Sequence, residues 1–242
     1  MSRFNLDIGG WFNKIIEMGT RTSFAPGEWH HCYNRGVDKR KVFQSTRDYD
    51  RFVALLFLSN ATERVHLSDY RGRSVEDLLQ MQIYRGKQLV EIGAWCLMPN
   101  HIHLLLREVE ENGIALFMQK IFTGYTMYFN KKNERTGALF AGTFKSIHVN
   151  EDLYLKHVVA YIHMNPVELH HPDWKDGLVS AQEASRVLDK YAYSSLGAFE
   201  DSRNKYKPLL GTSVFEMFDV MPKRIDMLKS AQEYFFEHNV KV

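Results

Sequence analysis

Residues 95–106, Trp-Cys-Leu-Met-Pro-Asn-His-Ile-His-Leu-Leu-Leu, constrain this chain more than any other stretch. They read as a strand, a tight turn and a second strand. Proline presets φ for the first central position of a type I turn, which suits Pro99, and asparagine is tolerated at the next, which suits Asn100. The two-residue period of a strand then puts His101 and His103 on one face and Ile102 on the other. Leu104, Leu105 and Leu106 continue as a buried run. Two imidazoles on one strand face form a natural ligand pair for a divalent cation. The alternative is a pair of surface histidines on an edge strand.

The remainder of the composition narrows the setting. A chain of 242 residues has room for one good core and a smaller appendage. The formal net charge is only +2, so any nucleic-acid partner must be met by the distribution of charge and not by its total. The two cysteines, Cys32 and Cys96, lack CxxC spacing, which argues against a disulfide framework or zinc ribbon and fits a reducing cytoplasm. The longest apolar run, residues 52–58, is too short for a bilayer, and the first residues lack a signal-peptide pattern. A cytoplasmic, nucleoid-associated protein with no membrane partner is expected.

Taken in order, residues 1–25 read as an N-terminal arm. A first strand over 29–34 follows the Pro26-Gly27 turn signal. A basic loop comes next, with six Lys/Arg against three Asp between Arg35 and Arg51. Ser45 or Thr46 caps a first helix whose Asp48 and Asp50 suit the macrodipole. Residues 63–86 are polar, with a weak helical stretch near 75–81, and read as an insertion. Strands over 88–97 and 101–107 form the hairpin. A helix over 113–130 carries a wide apolar stripe, and a fourth strand spans 139–149. Asn150 caps a further helix over 153–165, stopped by Pro166. Strand, helix, strand, strand, helix, strand is the ferredoxin-like βαββαβ order, an α+β fold with an antiparallel sheet. Residues 26–200 form that domain, and 201–242 a helical C-terminal extension with a helix over 213–238.

The helix after the fourth strand supplies the rest of a site. Tyr161 and Asn165 are four apart and share a face, with His157 one turn earlier. Each alone has a plain explanation: a core tyrosine, and an asparagine that ends a helix before proline. Together with His101 and His103, Asn165 would give a carbonyl oxygen as third metal ligand. Tyr161 would place a phenolic oxygen beside the metal, where it can attack phosphorus. A phosphodiester is already anionic, and a phenol with a reference pKa near ~10 is poorly ionised at neutral pH, so this chemistry needs the cation. Among twelve tyrosines, Tyr161 stands one turn before an amide followed by proline; Tyr154 is the runner-up. Arg35, Lys39, Arg40, Lys41, Lys131, Lys132 and Lys145 are the candidate DNA-binding residues, being basic and near the expected site.

Family resemblance rests on these same motifs. Residues 97–105, Leu-Met-Pro-Asn-His-Ile-His-Leu-Leu, resemble the HUH motif of single-tyrosine transposases. Residues 161–167, Tyr-Ile-His-Met-Asn-Pro-Val, resemble their tyrosine motif. Residues 33–36, 139–145 and 193–195 resemble segments of one branch, the REP-associated tyrosine transposases, relatives of the smallest insertion-sequence transposases. The resemblance implies a ferredoxin-like HUH domain. It implies Mg²⁺ or Mn²⁺ on His101, His103 and Asn165, and attack by Tyr161 on single-stranded DNA to leave a 5′-phosphotyrosine link and a free 3′-hydroxyl. It further implies recognition of short palindromic hairpins. Two positions depart from the family pattern: His30 stands where a tyrosine often follows Gly27, and Thr143 replaces a frequent basic residue. Both bear on DNA preference.

Three readings follow: a DNA nuclease and strand transferase, a non-cutting hairpin-binding regulator, or a metal-dependent phosphohydrolase that uses the histidines without the tyrosine. Only the first uses all four residues. Homodimer and monomer stay equally open.

Overall fold

The computed structural model describes residues 23–238; the expectations for the arm before residue 23 and for the last four residues lie outside them. Among the described residues four strands form one antiparallel sheet, β1 (Trp29–Arg35), β2 (Val90–Met98), β3 (His101–Glu108) and β4 (Lys145–Val149), in the order β2-β3-β1-β4. Eight helices accompany them: α1 (Thr46–Leu58), α2 (Val75–Gln80), α3 (Gly113–Lys132), α4 (Asp152–Met164), α5 (Ala181–Leu188), α6 (Leu196–Glu200), α7 (Ser213–Glu216) and α8 (Arg224–His238). The strand order and antiparallel pairing are those of the ferredoxin-like βαββαβ unit, as expected.

The sheet is covered on both faces, so alternation along each strand sorts side chains between two cores. Ile102, Leu104 and Leu106 of β3 join the core built with α1 and α3, while Leu105 joins the core built with α4 and α8. β3 lies between β2 and β1, which removes the edge-strand alternative for the histidine pair. α1 starts at Ser45 through a reciprocal capping box with Asp48. α3 starts at Asn112, in the left-handed region at φ 59°, and the carboxylate of buried Glu108 accepts the Ile114 N–H at 2.9 Å. That anion sits at the positive end of the helix.

The hairpin is tied into the rest of the fold through its turn. The Asn100 carbonyl accepts from the Gly36 N–H at 2.8 Å, and the Pro99 carbonyl from Val42 at 2.8 Å and Phe43 at 3.1 Å. On β2 the register slips between Ile92 and Ala94, a bulge at Gly93 that brings Met98 opposite His101. A Cβ on Gly93 would lie 2.6 Å from the Trp29 ring, so the bulge and the close approach both call for glycine. The outer edge of β2 is covered: Leu97 N–H bonds the Tyr193 carbonyl at 3.0 Å, and Trp95 N–H bonds Ser195 Oγ at 2.9 Å.

Three expected elements differ in extent. The fourth strand is Lys145–Val149 and not 139–149, because Gly142 turns the chain at φ 75° and residues 139–142 make one isolated bridge, Gly36 with Phe140. The helix expected over 213–238 is two, α7 and α8, with Pro222 in the gap. α4 is flanked by Glu151 and not capped by Asn150. The 63–86 segment is docked: Leu78 and Leu79 of α2 are buried in the α1–α3 core, and the Arg85 guanidinium stacks on Phe57 and bonds its carbonyl.

Candidate active site

The strand register assembles one cluster on the α4 face. Tyr33 pairs with His103, Arg35 with His101, and His31 with Leu105, so these odd-numbered β1 side chains and both β3 histidines share that face. The rings of His101 and His103 stand perpendicular with centroids 5.1 Å apart. Tyr161 of α4 meets His103 edge to face at 5.5 Å. Asn165 follows the last turn of α4 with helical φ and ψ, which preserves its place one turn after Tyr161; its amide donates to the Tyr161 carbonyl at 2.8 Å. His101, His103, Tyr161 and Asn165 are all buried.

Hydrogen bonding fixes which atoms remain for a ligand. His101 Nδ1 bonds Asn100 Oδ1 at 2.7 Å, so the neutral ring carries its proton there and keeps a lone pair on Nε2. His103 Nδ1 bonds His31 Nε2 at 2.9 Å, and His31 Nδ1 bonds the Tyr234 hydroxyl of α8 at 2.8 Å. His103 Nε2, Asn165 Oδ1 and the Tyr161 hydroxyl are each buried without a hydrogen-bond partner. The Asn165 side chain nevertheless interacts with both His101 and Tyr161. Such orphaned buried atoms are costly in a native fold, and three in one cluster mark a place built to receive something. An imidazole nitrogen, a second imidazole nitrogen and an amide oxygen form a donor set that fits Mn²⁺ well and Mg²⁺ less well.

Electrostatics keeps the histidines neutral. Burial holds His101 down at about 4, with Arg35 adding to the effect and Glu168 and Asn165 opposing it. Burial, then the neighbouring His101 and His31, holds His103 well below its ordinary value. Neutral imidazole is the form that ligates. Burial, then Glu168, pushes the Tyr161 phenol above its ordinary range, while Asn165 pulls the other way. Unaided, this phenol is a poor nucleophile.

Several neighbours carry no sequence signal. His31 belongs to the first strand and meets His103 only through sheet pairing. Lys175 sits with its ammonium 5.6 Å from the Tyr161 ring centre and 2.8 Å from the Glu168 carboxylate. Tyr234 packs on Tyr161 at 5.0 Å, and with Trp174 at 6.3 Å it closes the cluster. His157 turns away and pairs with Glu233 of α8 at 3.5 Å.

The candidate DNA-binding cations do not fall on one surface. Arg35 and Lys145 lie on the site face; Lys145 pairs with Tyr33 in register and its ammonium is 6.0 Å from that ring. Lys39 and Lys41 are exposed in the loop after β1, and Arg40 there pairs with Asp38 at 3.6 Å. Lys131 and Lys132 end α3 and line a groove with Arg47, Arg51, Arg64 and Lys120. Lys132 is engaged by buried Asp48 at 2.7 Å.

Residues 65–165 match the profile of the family described as transposase IS200 like. Among solved structures the chain is similar to a REP-associated tyrosine transposase bound to a REP hairpin, at 16% identity and a TM-score of 0.45, over 84% of this chain and 98% of that one. No curated protein matches. Among the described residues no helix is long and apolar enough to cross a membrane. The resemblance of this chain to the IS200-like transposases is thus shown over the stretch that contains His101, His103, Tyr161 and Asn165.

Proposed function

We propose that this chain is a single-tyrosine DNA endonuclease and strand transferase that acts on single-stranded or hairpin DNA. The observation that carries the reading is the gathering of three buried polar groups, His103 Nε2, Asn165 Oδ1 and the Tyr161 hydroxyl, beside His101, with no hydrogen-bond partner for His103 Nε2. In the transfer, Tyr161 Oη forms a bond to phosphorus and the bond from phosphorus to the 3′-oxygen breaks. The phenol loses its proton and the departing 3′-oxygen gains one. The product is a 5′-phosphotyrosine and a free 3′-hydroxyl, and the reverse attack rejoins strands without an external energy source. A divalent cation on His101, His103 and Asn165 would supply the polarisation of the phosphate that a buried phenol needs.

The chain's own groups do the remaining work. Asn100 holds His101 in the Nε2-ligating tautomer. His31 does the same for His103 when His103 Nδ1 donates to it and His31 Nδ1 donates to Tyr234. Lys175 lies by the Tyr161 ring and pairs with Glu168, offsetting the negative charge that opposes a phenolate there. Arg35 and Lys145, on the same sheet face, are suited to the phosphates of a strand laid across it.

Incubation with hairpin DNA carrying single-stranded flanks, Mn²⁺ or Mg²⁺, and a denaturing gel tests this. Wild type should give a shifted protein–DNA band. Tyr161→Phe should lose the band and the cleavage while binding DNA nearly as well. Binding without cleavage by wild type would favour a non-cutting regulator, and cleavage without an adduct would favour a phosphohydrolase.

A further inference from the structure

A second cluster lies on the opposite face of the sheet. Register sets His30 of β1 directly across from His148 of β4, and His30 pairs on its other side with Leu106, whose side chain belongs to the α1–α3 core. Glu28, two residues before His30 along the same line of chain, shares its face. The Glu28 carboxylate is 3.4 Å from His148 Nε2 and 3.9 Å from His30 Nε2. The two imidazole rings are 4.9 Å apart. One ligand atom from each of the three residues lies within 4.8 Å of the others, and among the described residues this is the sole His, Cys, Asp or Glu group of three that does so.

His30 makes this more than a surface ion pair. It is fully buried, and neither of its ring nitrogens has a hydrogen-bond partner. Phe24 walls it edge-on at 4.8 Å. Burial, then His148, holds its pKa down to about 4, so the ring is neutral near pH 7. An ion pair between Glu28 and His148 accounts for those two groups and leaves His30 unexplained. A metal ion uses all three.

We propose that Glu28, His30 and His148 form a second metal site that takes Zn²⁺ or a similar cation such as Co²⁺, separate from the His101–His103 pair. Two imidazoles and a carboxylate are a zinc donor set and a poor one for Mg²⁺. Zinc–nitrogen bonds of ~2.0–2.1 Å in tetrahedral array set ligand atoms roughly 3.3 Å apart, so the separations of 3.4 and 3.9 Å need a small contraction, and the imidazole pair must close from within 4.8 Å. The side chains of Glu28 and His148 are each 43% exposed, which gives the ion a path from solvent and leaves room for water as fourth ligand. β4 is the edge strand and leads directly into α4. A metal bridging β1 and β4 would pin the strand from which the tyrosine helix departs.

The test is Co²⁺ titration of the full chain followed by visible absorption, in a His101→Ala/His103→Ala background that removes the first ligand pair. One equivalent of Co²⁺ should give tetrahedral d–d bands that Zn²⁺ displaces. Adding Glu28→Gln at a half-buried position, or His148→Ala at an exposed one, should weaken binding by about tenfold or more. Zn²⁺ should raise the Tm of the background variant and not that of its His148→Ala derivative. Absence of bands in the background variant, or bands that survive His148→Ala, would overturn the site. If that background does not fold, stoichiometry decides: wild type should bind one more Zn²⁺ than His148→Ala, and equal stoichiometry refutes the proposal. These results are independent of whether Tyr161 cuts DNA.

Discussion

In the proposed site His31 touches neither phosphate nor metal, yet its contact with His103 Nδ1 would set which nitrogen of His103 bears the proton. His31→Phe leaves His103 Nδ1 without its partner at 2.9 Å and frees the ring to adopt the wrong tautomer. Mn²⁺ affinity measured by calorimetry should fall by about 10–100-fold; unchanged affinity would show that the His31 contact is only packing. Lys132 makes the opposite case, a cation whose first duty is structural. Its ammonium meets Asp48, a fully buried carboxylate that also accepts from Tyr128 at 2.8 Å and from the Gln44 N–H at 2.9 Å. Burial opposes ionisation of Asp48, but the bonds from Lys132, Gln44, Tyr128 and Ser45 outweigh it and hold the carboxyl below its ordinary value. Its stabilisation is therefore present above the ordinary carboxylate pKa and lost as pH falls through the folded one. Lys132→Met should cost roughly 1–3 kcal/mol by urea denaturation, whereas Lys131→Met should cost little. Equal effects would contradict the assignment. His101, His103, Tyr161 and Asn165 could be grouped into a candidate site from the sequence because their spacing encodes a shared face: two apart on a strand, four apart on a helix. His31, Glu168, Lys175 and Tyr234 could not, because only tertiary pairing brings them near.

At the scale of elements, the hairpin is held by features a sequence reader can only half see. The turn residues Pro99 and Asn100 announce it, but its register depends on the Gly93 bulge, which no periodicity reveals. Gly93→Ala would force a Cβ against Trp29, 2.6 Å away, and should cost about 1–3 kcal/mol in denaturant melts. A neutral substitution would mean that the β2 bulge can relax. The apolar pattern runs through the break between α7 and α8, which only Pro222 marks in the sequence. α8 also places Tyr234 over Tyr161, whose side chain is fully buried. In the proposed reaction, DNA would have to displace part of that cover to reach the hydroxyl. Hydrogen exchange in α8 should speed up when hairpin DNA with single-stranded flanks binds Tyr161→Phe. Unaltered exchange, under conditions where wild type forms an adduct, would show that strand access takes another route.

For the whole molecule, a net charge of +2 gives little general attraction to DNA, so binding must depend on where cations sit. Arg35 and Lys145 border the site, while Lys131 and Lys132 lie by a groove of α1 and α3 across the sheet. The basic character of these residues is plain in the sequence, but their division between two faces of the sheet is not. Affinity for hairpin DNA should fall steeply with salt, and Lys145→Ala should reduce the slope of log K against log salt by about 1 if its contact is with phosphate. An unchanged slope would remove Lys145 from the interface. Both sheet faces are covered, so the βαββαβ order alone leaves open which face receives α4 with Tyr161 and Asn165. The register of β1 with β3 and β4, with α4 and α8 packed over the odd-numbered side chains, decides it.

The central claim is that Tyr161 becomes covalently joined to DNA. The direct measurement is mass spectrometry of the protease-digested adduct formed by wild type with hairpin DNA and Mn²⁺. The account predicts a single modified peptide, with a 5′-phosphonucleotide on Tyr161. A link at Tyr154 or Tyr234, or complete cleavage of the DNA with no modified tyrosine, would contradict it.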